Sequence, residues 1–418
     1  MDRPKPIPIG RKLAAVASLA YAKLVLLAYW IVSNLIPSWR ENPTWTLRRA
    51  VGFRLSGWAV SEFSQKFQEL CSRDFNAEPD EEELKRWNVG FARTEKLEGP
   101  LTGEVGRLEK EVDVKRMKVG VYWYGPQDDN GRQNYCAAPG ERVLLFFHGG
   151  KYVIGTAHPS DMTSFIPSQL CNFARTVQRV AAVEYRLSSM TADAATYPFP
   201  TALIDAITSF RYLLDLGFDP VNIFIVGDSA GGNLALALTR YLVEEERLSL
   251  AGLILLSPWC DLTSSHSRPG LSRQMNVEKD VLGSAIDPGS YATNAFLCGM
   301  SPENRYISPS CKWIHPSFRG FPRTYLAAGE MEVFLDEIRT LKSRMEGAIN
   351  GGLVYDETPG APHGEPPLPC HRKARLSPET VDFCVISFME PERSQLVTRV
   401  AEWIDDVQQP ADNYLICV

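Results

Sequence analysis

Gly227-Asp228-Ser229-Ala230-Gly231 follows the apolar run Val221-Asn222-Ile223-Phe224-Ile225-Val226 and precedes Gly232-Asn233-Leu234-Ala235-Leu236-Ala237-Leu238. These pieces read as a strand, a sharp turn with a serine at its tip, and a helix. The flanking glycines remove Cβ atoms that would collide in so tight a turn. A serine hydroxyl is a weak nucleophile until the backbone presents it to a base and to an oxyanion site. The helix start supplies the N–H of Ala230 beside any negative charge developing there. Ser229 is therefore expected to be the nucleophile of an acyl-transfer enzyme.

Working outward, short apolar runs alternate with helix-like stretches. Val112–Tyr124, Val143–Phe147, Val177–Tyr185, Gly252–Ser257, Thr324–Gly329 and Gly352–Tyr355 read as strands, Pro200–Leu216 as a helix, and residues 393–408 as the final helix. The alternation predicts an α/β fold with a mostly parallel sheet covered on both faces. Residues 263–321, rich in Ser, Pro, Gly and Asn, are expected to form a cap insertion, and 364–392 a surface excursion. The predicted organisation is a membrane anchor or interfacial helix over 1–40, a helical N-terminal cap region over 41–105, and a catalytic domain over 106–418. In the cap region Val60, Phe63, Phe67 and Leu70 share one helical face, and the acidic run Asp80–Glu83 starts a solvated helix.

The 418 residues are 44% hydrophobic and 22% charged, with a net charge of −6 and no long basic cluster, which argues against a nucleic-acid partner. The nine cysteines are scattered without a CxxC pair, so neither a metal site nor a dense disulfide framework is expected. Residues 13–36 are mostly apolar and follow Arg3, Lys5, Arg11 and Lys12. As a helix they would extend roughly 36 Å, enough to cross a hydrocarbon core of about 30 Å. Lys23 stands near the middle, where insertion costs about 2.5–3.5 kcal/mol. A signal anchor, an interfacial helix and an apolar cap helix of a soluble enzyme all fit this stretch. The first two imply membrane association, at the endoplasmic reticulum or another endomembrane; the third a soluble cytoplasmic protein.

His148-Gly149-Gly150-Lys151 follows the strand at 143–147. Glycines there let backbone N–H groups close on a ligand, so Gly149 and Gly150 join Ala230 as expected oxyanion donors, with His148 orienting their loop. The Lys151 side chain is placed near the pocket mouth, as a surface residue or as a contact for an acidic or oxygenated substrate. The general base is expected on a loop after the last strand, where Pro362-His363-Gly364 stands. His363 is preferred over His158, His266, His315 and His371. The carboxylate that orients it is expected after the strand at 324–329: Glu332 first, Asp336 as the alternative acid and Glu330 as the weakest of the three. The order Ser229, Glu332, His363 is the Ser…acid…His order of α/β-hydrolases.

Taken together, these motifs resemble the hormone-sensitive-lipase branch of the α/β-hydrolase fold, the fold-3 esterases. The carriers are His148-Gly149-Gly150, Glu184-Tyr185-Arg186-Leu187, Tyr197-Pro198-Phe199-Pro200, Gly227 through Asn233, Ser257-Pro258-Trp259-Cys260-Asp261-Leu262, the Gly329–Glu337 block and Pro362-His363-Gly364. The resemblance implies a serine esterase or lipase without cofactor or metal, capped by N-terminal helices and an insertion. The resemblance implies oxyanion donors at the second and third positions of the glycine loop, Gly150 and Lys151; Lys151 departs from the family's third glycine but keeps its N–H, and Glu332 departs from the family's usual aspartate. The expected reaction is hydrolysis of a lipophilic acyl ester; cyclisation, condensation or acyl transfer in natural-product biosynthesis is the alternative, and an inactive small-molecule receptor the third reading.

Overall fold

Val143–Phe147 and Ile223–Val226 contain no polar alternation, so each needs cover on both faces. They have it in the computed structural model of the chain, which describes residues 9–40, 43, 45–65, 75–190, 196–283, 287–349, 352–358 and 392–406. Eight strands form one sheet: β1 (Gly90–Arg93), β2 (Gly120–Tyr124), β3 (Arg142–Phe147), β4 (Val177–Glu184), β5 (Ile223–Asp228), β6 (Gly252–Leu256), β7 (Thr324–Gly329) and β8 (Leu353–Thr358). Their spatial order is β1-β2-β4-β3-β5-β6-β7-β8. The β1–β2 and β2–β4 pairs are antiparallel and the remaining pairs are parallel.

The chain begins with α1 (Ile9–Tyr21), a π-helical turn (Ala22–Leu26) and α2 (Leu27–Ser33), which run on as one helix, followed by α3 (Leu47–Gln65), α4 (Glu81–Trp87) and α5 (Gly103–Val112). Later come α6 (Phe165–Phe173), α7 (Thr201–Asp215), α8 (Ala230–Glu244), α9 (Ser272–Met275), α10 (Tyr291–Leu297), α11 (Leu335–Met345) and α12 (Glu392–Asp405). One face of the sheet packs on α5, α7, α8 and α11 through side chains such as Val105, Phe210, Leu238 and Ile338. The other face packs on α6 and α12 through Leu170, Val400 and Ile404. Burying each such side chain contributes about 1.5–3 kcal/mol.

Two sequence expectations shift. β1 lies inside 41–105, the stretch expected to be helical, and extends the sheet by one strand. Four residues are too few to show a period-2 pattern. The strand expected from Val112 starts only at Gly120, because Val112 ends α5 and Asp113 turns the chain with a φ of 55°. There the alternation Val112-Asp113-Val114 mimics a strand. The positions Val60, Phe63, Phe67 and Leu70, and the surface excursion 364–392, lie outside the described side chains.

Candidate active site

The registers Phe147↔Gly227 and Asp228↔Leu256 bring the carboxyl ends of β3, β5 and β6 side by side. Ser229 sits just past the end of β5, with φ 55° and ψ −116°. An L-residue adopts that conformation only when its surroundings enforce it, at a cost of about 1–3 kcal/mol. Here the Ser229 N–H donates to Leu256 O at 2.9 Å, and Ser229 O accepts from Trp259 N at 3.0 Å and Asn233 N at 3.1 Å. Close approach explains the glycines. A Cβ on Gly227 would stand 2.1 Å from Gly231 O, and one on Gly231 2.1 Å from Phe147 O. One on Gly149 would stand 2.4 Å from Asp228 Oδ2 and 3.3 Å from the Ser229 Cβ, so the 148–150 loop lies directly on the elbow. Gly231→Ala must part α8 from the end of β3. It is expected to lower stability by about 3 kcal/mol or more, read as a fall in urea midpoint.

Past the glycines, Lys151 and Tyr152 have φ of 58° and 63°, and Val153 N and Ile154 N both donate to Gly150 O at 3.0 Å. The Tyr152 hydroxyl donates to Asn233 Oδ1 at 2.8 Å, and Asn233 Nδ2 donates to Trp259 O and Ile307 O, each at 2.8 Å. Asn233 thus ties the glycine loop, the elbow helix and the loop after β6 together. The sequence displayed it within the elbow motif, but residue type alone gave it no role. His148 stacks on Tyr185 with ring centroids 4.3 Å apart, its Nδ1 is 2.6 Å from Gly149 O, and the Tyr185 hydroxyl donates to His148 O at 2.7 Å.

Lys151 is not a surface residue: only 3% of it is exposed. The positive φ of the loop turns it inward beside the elbow. Burial lowers its pKa from 10.5 to about 7. Between these values the unfolded chain holds a proton that the folded chain has released, so stability rises with pH across that window. Lys151→Met is therefore expected to melt higher than the natural chain below pH 7, with the gap closing as pH rises towards 10.5; thermal melts across pH check this.

The acid candidates separate by contact. Glu332 is fully buried, and its Oε1 accepts from Gly329 N at 2.6 Å and from Ser257 Oγ at 2.5 Å. Ser257, the residue after β6, has a φ of 46°, another partner that the sequence did not single out. Asp336 Oδ2 instead accepts from Ser272 N at 2.6 Å at the start of α11, and Glu330 is exposed. The segment between β6 and β7 holds this loop: Asn276 Nδ2 donates to Glu332 O at 2.9 Å and Val333 N donates to Asp280 Oδ2 at 2.7 Å.

His363 and His371 lie outside the described residues. His158 is buried against Ser160 and Glu83, and His315 is exposed. His266 Nδ1 is 2.6 Å from Asp261 Oδ2 and its Nε2 is 2.9 Å from Thr340 Oγ1. It belongs to a buried lattice in which Glu337 accepts from Cys260 N, Asp261 N and Arg273. Burial pushes the Glu337 carboxyl up to about 8 against the pull of Arg273. This lattice fastens the insertion to α11 and was invisible in sequence, since its members are up to 77 residues apart. An open groove of 530 Å³, lined by Trp87, Tyr124, Cys171 and Gln178 among others, lies at the opposite end of β4 from the elbow. Among the described residues no cluster of three or more His, Cys, Asp or Glu side chains is placed to hold a metal ion.

Comparison with known proteins agrees with this geometry. A family model described as the alpha/beta hydrolase fold matches residues 144–366. An acetyl-hydrolase of Streptomyces hygroscopicus is 29% identical over 56% of this chain and 72% of its own length. A versiconal hemiacetal acetate esterase of Emericella nidulans is 31% identical over 53% of this chain and 73% of its own. The crystal structure of an esterase of the bacterial hormone-sensitive lipase family superposes with a TM-score of 0.56 at 22% identity, covering 85% of this chain and 97% of that one. With the strand order, the elbow and these matches together, the chain belongs to the α/β-hydrolase fold family, with esterases among its relatives.

Proposed function

We propose that this protein hydrolyses a carboxylic ester through an acyl-enzyme. The Ser229 hydroxyl attacks the ester carbonyl while His363 takes its proton; the tetrahedral oxyanion is held by backbone N–H groups among Gly149, Gly150, Lys151 and Ala230. Collapse expels the alcohol, protonated by His363. Water, deprotonated by His363, then attacks the acyl-enzyme and releases the acid and free Ser229. Glu332 orients His363 and stabilises its imidazolium.

The observation that carries the reading is the strained backbone of Ser229, with Gly149 packed against it and Ala230 opening α8. Glu332 is supported by its buried place just past β7, two strands from the elbow. His363 is supported by its position in the sequence, five residues after Thr358, which is paired with Gly329 at the ends of β8 and β7. The loop-orienting reading of His148 is supported by its ring contacts to Gly149 O and Tyr185. A cap over the site is supported by α10, which packs on α3 and places Phe296 3.9 Å from the Tyr152 ring.

The apolar N-terminal helix supports an endomembrane location and a lipophilic ester. The relatives, an acetyl-hydrolase and an acetate esterase, direct attention to short acyl groups. The test is a series of p-nitrophenyl esters of graded chain length, with a fluorophosphonate probe whose labelled peptide is sequenced. Turnover with the label on Ser229 is the expected result; turnover with the probe on another residue, or none with any ester, overturns the reading.

A further inference from the structure

The helix of residues 9–33 is fastened along its own protein. Ala15 packs on Ala59 and Trp58, the Ser18 hydroxyl donates to Glu62 Oε2 at 3.3 Å, and α2 packs on α3. At the corner, Arg40 donates to Asn34 O, Leu35 O and Trp45 O, which fixes the hairpin between α2 and α3. α3 is in turn seated on the catalytic domain: Ala50 and Phe53 cluster with Trp45 and Met331, and a Cβ on Gly57 would stand 3.6 Å from Val281 O. The sequence of α3 includes Arg48, Arg49, Arg54 and Glu62, which a hydrocarbon layer accepts only at high cost.

The outward side of the same helix is apolar and bare. Leu13 is 64% and Leu24 74% exposed, with Val16, Tyr29 and Val32 beside them and Trp39 beyond the helix end. A soluble surface rarely carries so large an apolar patch. The π-helical turn keeps the protein-facing side continuous, from Ala15 and Ala22 to the half-buried Leu26 and Trp30. Lys12 and Lys23 are about three turns apart and so share one flank.

We propose that residues 9–40 lie flat in the headgroup–acyl boundary of an anionic bilayer, with α3 and the catalytic domain on the aqueous side. This rests on the membrane reading above and not on the ester chemistry. A crossing helix would carry α3 and the Met331 loop into hydrocarbon, or strip the hairpin apart. A flat helix keeps every one of these contacts. It also places Lys12 and Lys23 together at headgroup level, where their stems snorkel to lipid phosphates, whereas a crossing would leave Lys23 near the bilayer centre.

The test uses the full chain with an epitope tag at each end, in sealed microsomes treated with protease. A flat helix gives both tags the same fate; a crossing helix protects one tag and exposes the other, which overturns the proposal. The purified chain is also floated with vesicles of phosphatidylcholine with and without phosphatidylserine. Phosphatidylserine is expected to raise the bound fraction about tenfold, and Lys12→Glu with Lys23→Glu to abolish that gain. No flotation with either vesicle, or binding indifferent to charge, overturns it as well. Hydrolysis of a soluble ester on the same preparations reads the catalytic assignment separately.

Discussion

Ser229→Ala is expected to lower ester hydrolysis on the order of 10⁴-fold or more while leaving the fold intact. In the proposed mechanism the hydroxyl supplies the bond-forming oxygen, and alanine has none to offer. The backbone contacts that hold residue 229 run through its N–H and its carbonyl, to Leu256, Trp259 and Asn233, and survive the change. A stopped assay on a short-chain ester, with circular dichroism as the folding control, checks this. Ser229→Gly separates chemistry from strain. Glycine accepts φ 55° and ψ −116° without a Cβ penalty, so this variant is expected to be equally inactive yet about 1 kcal/mol or more stabler than Ser229→Ala. Equal melting temperatures for the two variants would mean that the elbow stores no strain.

Glu332→Gln is expected to lower kcat about 10²–10⁴-fold with little change in KM. A glutamine keeps one oxygen for Gly329 N and Ser257 Oγ, so the loop stays in place. Its second position becomes an amide NH₂, which cannot accept a proton-bearing imidazole nitrogen or balance an imidazolium charge. Asp336→Asn serves as the contrast. Asn retains an acceptor for Ser272 N, so the rate is expected to stay within about threefold and stability within about 1 kcal/mol. A collapse of kcat in Asp336→Asn with activity kept in Glu332→Gln would transfer the acid role to Asp336. Steady-state kinetics on the two variants decides it.

The parts of this molecule legible in sequence are those whose physics is local. The elbow needs glycines at 227 and 231 because two backbones touch there, and a pentapeptide carries that requirement whole. The buried parallel strands announce themselves as unbroken apolar runs. What stayed hidden depends on residues far apart in the chain: Asn233 reaching Tyr152 and Ile307, Ser257 meeting Glu332, and Arg273 bridging to Glu337. Lys151 shows the limit from the other side. A lysine is read as solvated by default, and only the left-handed turn of the loop turns it inward. The N-terminal helix is legible in its hydropathy but its packing on α3 is not, because Ala15 and Ala59 meet only in the tertiary structure.

The insertion between β6 and β7 holds the loop of Glu332 through Ser272, Asn276 and Asp280. Diversification of this fold therefore meets a trade-off at this segment. A graft that replaces 263–321 with the corresponding segment of a relative also removes three clamps on the loop of Glu332. Chimeras that carry residues 272–280 together with 330–336 as one unit keep these contacts, and libraries that randomise 263–321 are expected to retain activity only where those three side chains are left unvaried.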